Sequence, residues 1–274
     1  MFHLQKATHV TSGDVDDSGD AALLWLAEQY LYPPRPAAGP GAAAPFVRAN
    51  MVASIDGSVA HEGKSGGLGG PGDRLLFRVL RGLADVILVG AGTATAEGYG
   101  QPRPDGLFAD LRASNGQADA PTLALVSRCL SVLPDFAPVS DPNTVVLTCA
   151  AAPADRRAAL VDAGATLVDC GEDTVDPSTL LERCGERGWA RVLCEGGPTL
   201  LGSLVAADLL DELCLTTSPN LVGGAAGRIV SGVGDPLTTV AAGMLHPMQP
   251  TSIITDDDGF VFTRWLRRGR SSIH

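Results

Sequence analysis

Apolar residues follow two rhythms along this chain, and the alternation between them sets out a fold. Short unbroken runs predict strands at 84–89, 122–127, 144–148, 166–170, 191–195 and 212–217; the first, centred on VILV, leaves no room for a polar face, as in a strand buried on both sides of a parallel sheet. A further strand over 46–54 is interrupted by Arg48 and Asn50, so one of its faces lies near solvent or a ligand. Apolar residues spaced three and four apart predict helices between these strands. In one, over 73–83, Leu75, Leu76, Val79, Leu80 and Leu83 share a face and leave Arg74, Arg78 and Arg81 as solvated charges on the other. Others are expected over 155–163, from the cap pair Asp176-Pro177 to about Arg187, and from Pro198 to about Ala206. Strands alternating with helices in this order mean a parallel sheet covered on both faces. Residues 251–265 alternate around Asp257-Asp258-Gly259 and read as a β-hairpin.

The pattern also divides the chain. Residues 1–45 read as an appendage: Asp20 caps a helix carrying Ala22, Leu23, Leu26, Ala27 and Tyr30, Pro33-Pro34 ends it, and a Pro/Ala/Gly linker follows. That helix is expected to cover the main domain, 46–266, or a partner subunit. Residues 267–274 form a basic tail, and Arg264, Arg267, Arg268 and Arg270 read as solvated. Asp56-Gly57 reads locally as a hairpin turn or bulge. The stretch HEGKSGGLGGPGDR reads as a mobile loop able to approach a ligand, and residues 98–120 as a long loop that includes Arg103.

Composition narrows the partners. A formal charge of -11 over 274 residues argues against general affinity for nucleic acid or anionic membranes, so an anionic ligand must be held by local arginines or helix ends. The six cysteines are spread singly and read as reduced, packed thiols, and the five histidines show no ligand spacing, so no metal is expected. Without an apolar run long enough to span a bilayer or an N-terminal h-region, a soluble cytoplasmic protein is expected.

Two stretches carry candidate chemistry. In LADVILVGAGTATAEGYG a buried strand gives way to Gly90, Gly92, Thr93 and Glu97, which places amides, a hydroxyl and a carboxylate at the carboxyl end of a central strand, the edge where open α/β sheets bind ligands. In RVLCEGGPTLLGSLVAADLLDEL a strand ends at Glu195, Gly196-Gly197 turns closely, and Pro198-Thr199 opens a helix whose free amides and positive dipole end suit a phosphate. A tight strand-to-helix turn is the plainer alternative. The stretch is neither a Walker A loop nor a Rossmann fingerprint. A carboxylate such as Glu195 at the end of a core strand is costly without a partner.

Together, N-x-V-A-S-I-D-G, V-G-A-G-T and C-E-G-G-P-T-L-L, in that order, resemble the riboflavin-biosynthesis pyrimidine reductases, the dihydrofolate-reductase-like domain found as the C-terminal half of bifunctional deaminase-reductases. The resemblance covers roughly residues 46–266. It implies a three-layer α/β sandwich with a mostly parallel central sheet and a C-terminal antiparallel hairpin, and a homodimer. It also implies NADPH along the carboxyl edge, with Gly92 and Thr93 contacting it, Gly196, Gly197, Pro198, Thr199 and Leu200 cradling its pyrophosphate, and Ser127-Arg128 reading its 2′-phosphate. The implied substrate is 5-amino-6-(5-phosphoribosylamino)uracil, reduced at the sugar C1. Ser65 and Arg81 or Arg103 would hold its phosphate, Glu195 would read its ring, and Glu97 and Asp56 are the carboxylates placed to handle the proton. Glu97 stands where the family usually has Asp, and Gly67-Leu68-Gly69 replaces its usual aromatic and small hydroxyl residues. A different pyrimidine or pterin substrate, such as dihydrofolate, or a non-catalytic NADP-binding role, are the competing readings.

Overall fold

The computed structural model describes residues 8–9, 19–34, 44–225, 227–232 and 245–268. Most of the stretch read as a linker, and the tail beyond 268 with Arg270, lie outside them. Among the described residues ten strands form one sheet: β1 (Thr8–His9), β2 (Phe46–Ser54), β3 (Val86–Gly90), β4 (Thr122–Val126), β5 (Thr144–Thr148), β6 (Thr166–Asp169), β7 (Arg191–Cys194), β8 (Glu212–Ser218), β9 (Met248–Thr255) and β10 (Val261–Arg267), in the order β1-β9-β10-β8-β2-β7-β3-β4-β5-β6. From β8 through β6 every neighbouring pair is parallel, and β10 runs antiparallel to both β8 and β9. The expected parallel sheet and C-terminal hairpin are both present. The short pairing of β1 with β9 was not expected, because two residues carry no readable period.

Among the described residues seven α-helices cover the sheet: α1 (Gly19–Gln29), α2 (Pro71–Leu83), α3 (Ala91–Glu97), α4 (Ala109–Ser114), α5 (Ala154–Asp162), α6 (Pro177–Glu186) and α7 (Pro198–Ala206). Successive residues of a strand point to opposite faces, so Ile87, Val89, Leu123 and Leu125 join one core with α1, α2 and α5, while Val86, Leu88, Ala124 and Cys194 join a second with α6 and α7. This is the three-layer arrangement. None of the helices among the described residues is long and apolar enough to cross a membrane.

Helix α1 covers the main domain itself, with Leu23, Ala27 and Tyr30 buried against Leu76, Val79 and Leu80 of α2. A buried ion network fastens its end. Glu212 of β8 accepts from Arg48 Nε at 2.5 Å and from Arg264 Nη2 at 2.7 Å, while Arg48 Nη1 donates to the Tyr30 carbonyl and Arg264 Nη1 to that of Gln29. Arg264 is therefore not a solvated tail residue, and Arg267 lies within β10, bonded to Asp208. Both corrections share a cause: each arginine meets a partner far away in sequence.

Candidate active site

Strands β3 and β7 are parallel neighbours, with Leu88 opposite Cys194, so the glycine corners that follow them stand side by side. The Gly90 amide donates to the Gly196 carbonyl at 2.8 Å. Gly196 has φ +88°, open to glycine alone among common residues, and its peptide to Gly197 is cis. A side chain on Gly197 would overlap Thr93 Oγ1, so the absence of a Cβ there lets the two corners close on each other. Helix α7 then starts from Gly197 with no side-chain cap, leaving its first-turn amides for a ligand.

A cavity of about 620 Å³ opens beside these corners. Gly92, Thr93, Gly197 and Pro198 from the expected cofactor set line it, as do Ser65, Arg81, Glu97 and Glu195 from the substrate and proton-handling set. Residues from four separated parts of the chain thus meet. Glu97, at the end of α3, accepts through Oε1 from the Ser65 amide at 2.7 Å and from Ser65 Oγ at 2.9 Å, tying the glycine-rich loop to the cavity wall. That loop is less free than its composition suggests. A Cβ on Gly70 would strike Phe260 and one on Gly72 would strike Asp256, so these glycines serve close packing.

Glu195 has the partner that its position demands. Arg81 donates to it from Nε at 2.8 Å and from Nη2 at 2.7 Å, a bidentate pair with the Glu195 side chain almost wholly buried. The Arg81 guanidinium also lies over the rings of Phe77 at 4.1 Å and Tyr99 at 5.1 Å. Burial and the neighbouring Glu195 charge hold the Tyr99 phenol well above its ordinary pKa, so it stays protonated and able to donate. Arg81 is thus a wall of the cavity and not a solvated charge, whereas Arg78 is exposed, as expected, and pairs with Asp105 at the surface.

The other expected site residues fall outside this cavity. Asp56 is exposed, and no hairpin forms around it. Its carboxylate accepts from Ser54 Oγ and from the amides of Gly223 and Val222, which together lower its pKa to about 2. Arg103 is 78 % exposed, 3.9 Å from Asp141, and lines a second cavity of about 280 Å³ on the far side of Phe77 and Arg81. Ser127 is buried and its Oγ accepts from the Ser131 amide, while Arg128 is exposed where β4 ends. Gly196, Thr199 and Leu200 stand at the α7 corner, next to residues that do line the cavity.

The model of the RibD C-terminal domain matches residues 45–262. This chain belongs to the RibD C-terminal domain family. It is 32% identical over 185 residues to a 2,5-diamino-6-ribosylamino-4(3H)-pyrimidinone 5′-phosphate reductase of Archaeoglobus fulgidus, covering 66% of this chain and 83% of that one. A reductase of the same name from Methanothermobacter thermautotrophicus is 31% identical over 198 residues, covering 69% of this chain and 85% of that one. Among solved structures, a pyrimidine reductase-like protein of Corynebacterium diphtheriae superimposes with a TM-score of 0.71 at 25% identity, covering 82% of this chain and 92% of that one. As a RibD C-terminal domain, the chain has pyrimidine reductases as relatives, and membership in this reductase family implies a nicotinamide cofactor.

The cavity of this RibD C-terminal domain also contains groups to which the sequence reading gave no named role, although it placed Asn50 on a face near solvent or a ligand. Tyr99 and Phe77 frame Arg81, and Asn50 of β2 turns a buried Oδ1 that has no hydrogen-bond partner among the described residues. Asp73, in the first turn of α2, is a third carboxylate in the wall. Its position in sequence looks like an ordinary dipole-compensating residue at a helix start, which hides the fact that it faces inward.

Proposed function

We propose that this protein is an NADPH-dependent reductase of riboflavin biosynthesis, converting a ribosylaminopyrimidine 5′-phosphate to its ribitylamino product by hydride delivery to the sugar C1. The observation that carries this reading is the meeting of the two glycine corners at the mouth of a cavity walled by Glu97 and by the Arg81–Glu195 pair. The residues fit a dinucleotide: a corner that a Cβ would fill, an uncapped helix start and a flanking hydroxyl form an anion cradle in a strongly acidic protein. Gly92, Thr93, Gly196, Gly197, Pro198, Thr199 and Leu200 would hold it, with Ser127-Arg128 toward its 2′-phosphate. Bound there, the nicotinamide supplies the hydride. Glu195, neutralised by Arg81, orients the ring. Glu97 fixes the Ser65 loop through one oxygen and keeps the other for the proton that the opening sugar exchanges.

Two outcomes follow from these roles. Glu97→Gln is expected to lower kcat/KM by about a hundredfold while the NADPH Kd stays within about twofold, since proton management is lost and the cradle is untouched. Steady-state rates with a parallel fluorescence titration measure both, and an unimpaired rate removes Glu97 from the chemistry. Arg128→Ala is expected to weaken NADPH about tenfold and leave NADH unchanged, because one charge-assisted contact to phosphate is lost. Equal losses for the two cofactors would move the 2′-phosphate elsewhere.

A further inference from the structure

Three carboxylates line the main cavity, and two of them are already engaged. Both oxygens of Glu195 accept from Arg81, and Glu97 Oε1 accepts twice from Ser65. Asp73 differs. Arg74, its neighbour in sequence, acts on it through charge, and the polar side chain beside it is that of Thr216 on β8, which is fully buried and whose hydroxyl has no hydrogen-bond partner among the described residues. Its backbone sits in the first turn of the thirteen-residue helix α2, where the dipole favours the ionised carboxylate although burial opposes it. The loop closes tightly over it, since a Cβ on Gly69 would overlap Asp73 Oδ2. A half-buried carboxylate in the cavity wall, with no ion pair among the described residues, keeps acceptor lone pairs for whatever occupies the cavity.

We propose that Asp73 determines which pyrimidine this enzyme reduces, by accepting two parallel hydrogen bonds from the adjacent N3–H and 2-amino groups of a 2-amino-4-oxopyrimidine ring and rejecting the 2,4-dioxo ring. This rests on the reductase reading above and specifies its ring. In the uracil-type substrate an oxygen replaces the 2-amino group, so one donor becomes an acceptor and would face a carboxylate oxygen across the same gap. The mismatch keeps one hydrogen bond, from N3–H, but leaves the other carboxylate oxygen without a donor and sets two lone pairs against each other, whereas the diamino ring matches the carboxylate as a fork matches a fork. Sites that hydrogen-bond a substrate group discriminate strongly against analogues lacking it.

The test is a comparison of kcat/KM for the purified protein with NADPH and each of two substrates, 2,5-diamino-6-(5-phosphoribosylamino)pyrimidin-4-one and 5-amino-6-(5-phosphoribosylamino)uracil. The expected ratio is at least about a hundredfold in favour of the diamino compound. Asp73→Asn, which replaces one acceptor with a donor, is expected to reduce that ratio at least about tenfold through loss of the diamino rate, with the NADPH Kd reporting that the fold is intact. Equal turnover of the two substrates by the unaltered protein overturns the proposal without any variant. So does a preference for the uracil, or a ratio unchanged in a folded Asp73→Asn protein, and in those cases the reductase reading stands. Turnover of neither substrate overturns the reductase reading and the proposal with it.

Discussion

Gly197→Val is expected to abolish useful NADPH binding, with the Kd rising at least about a hundredfold while the protein stays folded. The corner has no room for a side chain: the first carbon added would overlap Thr93 Oγ1, and the branched valine would also reach toward the start of α7. The separation of the two corners would then widen, and the first-turn amides of α7 would no longer meet the pyrophosphate. Losing two charge-assisted hydrogen bonds at roughly 1.5–3 kcal/mol each gives a change of that size. Titration of NADPH fluorescence reads the affinity, and circular dichroism the fold. Unchanged affinity in a folded variant would separate the corner from the cofactor.

Glu212→Ala is expected to be the most damaging change to stability away from the cavity. It removes the single carboxylate shared by Arg48 and Arg264 and leaves two guanidiniums, one of them fully buried, without a counter-charge, held by backbone carbonyls at the end of α1 and by the rings of Tyr32 and Tyr30. Breaking a buried pair from one side costs about 3–5 kcal/mol, which for a chain of this size lowers Tm by roughly 6–20 °C in a thermal melt. A shift within about 1 °C would show the network to be energetically idle. The same carboxylate makes stability depend on pH. Burial pushes its pKa up, but the Arg48 and Arg264 charges and hydrogen bonds outweigh that and hold it below the ordinary glutamate value. The folded pKa thus lies below the unfolded one, so the contribution is complete above the ordinary glutamate range and is lost as pH falls through the folded value.

The order of strands and helices was legible because it depends on periodicity, which is local. The run at VILV and the apolar face of α2 need no knowledge of the rest of the chain to be read, and the two corners followed from glycines at strand ends. Helix α3 was not legible: AGTATAE has no apolar stripe and several poor helix formers, and it is held by its place between β3 and the cavity. Helix α4 was hidden differently, because its buried face carries Arg112, whose guanidinium donates to the carbonyls of Gly82, Ala84 and Ala118.

Charged residues were the general blind spot. Arg81 and Arg264 read as solvated because the carboxylates that bury them are 114 and 52 positions away, and no local pattern connects such pairs. Glycine was ambiguous for a related reason. In the stretch from Gly66 to Gly72, freedom of movement and close packing demand the same residue, and the contacts of Gly69, Gly70 and Gly72 decide for packing. Asp73 illustrates both limits at once, as a helix-start residue by sequence and a cavity carboxylate by structure.

If the two corners grip one nicotinamide and aim it at the sugar carbon of a ribosylaminopyrimidine, the hydride passes to that carbon, and this can be measured. NADPH carrying deuterium at both C4 positions of the nicotinamide tests it most directly, with the product recovered and its deuterium located by mass spectrometry and NMR. Deuterium at C1 of the ribityl chain is the expected result. Deuterium on the ring instead, or NADPH consumed with none transferred to the product, would contradict it.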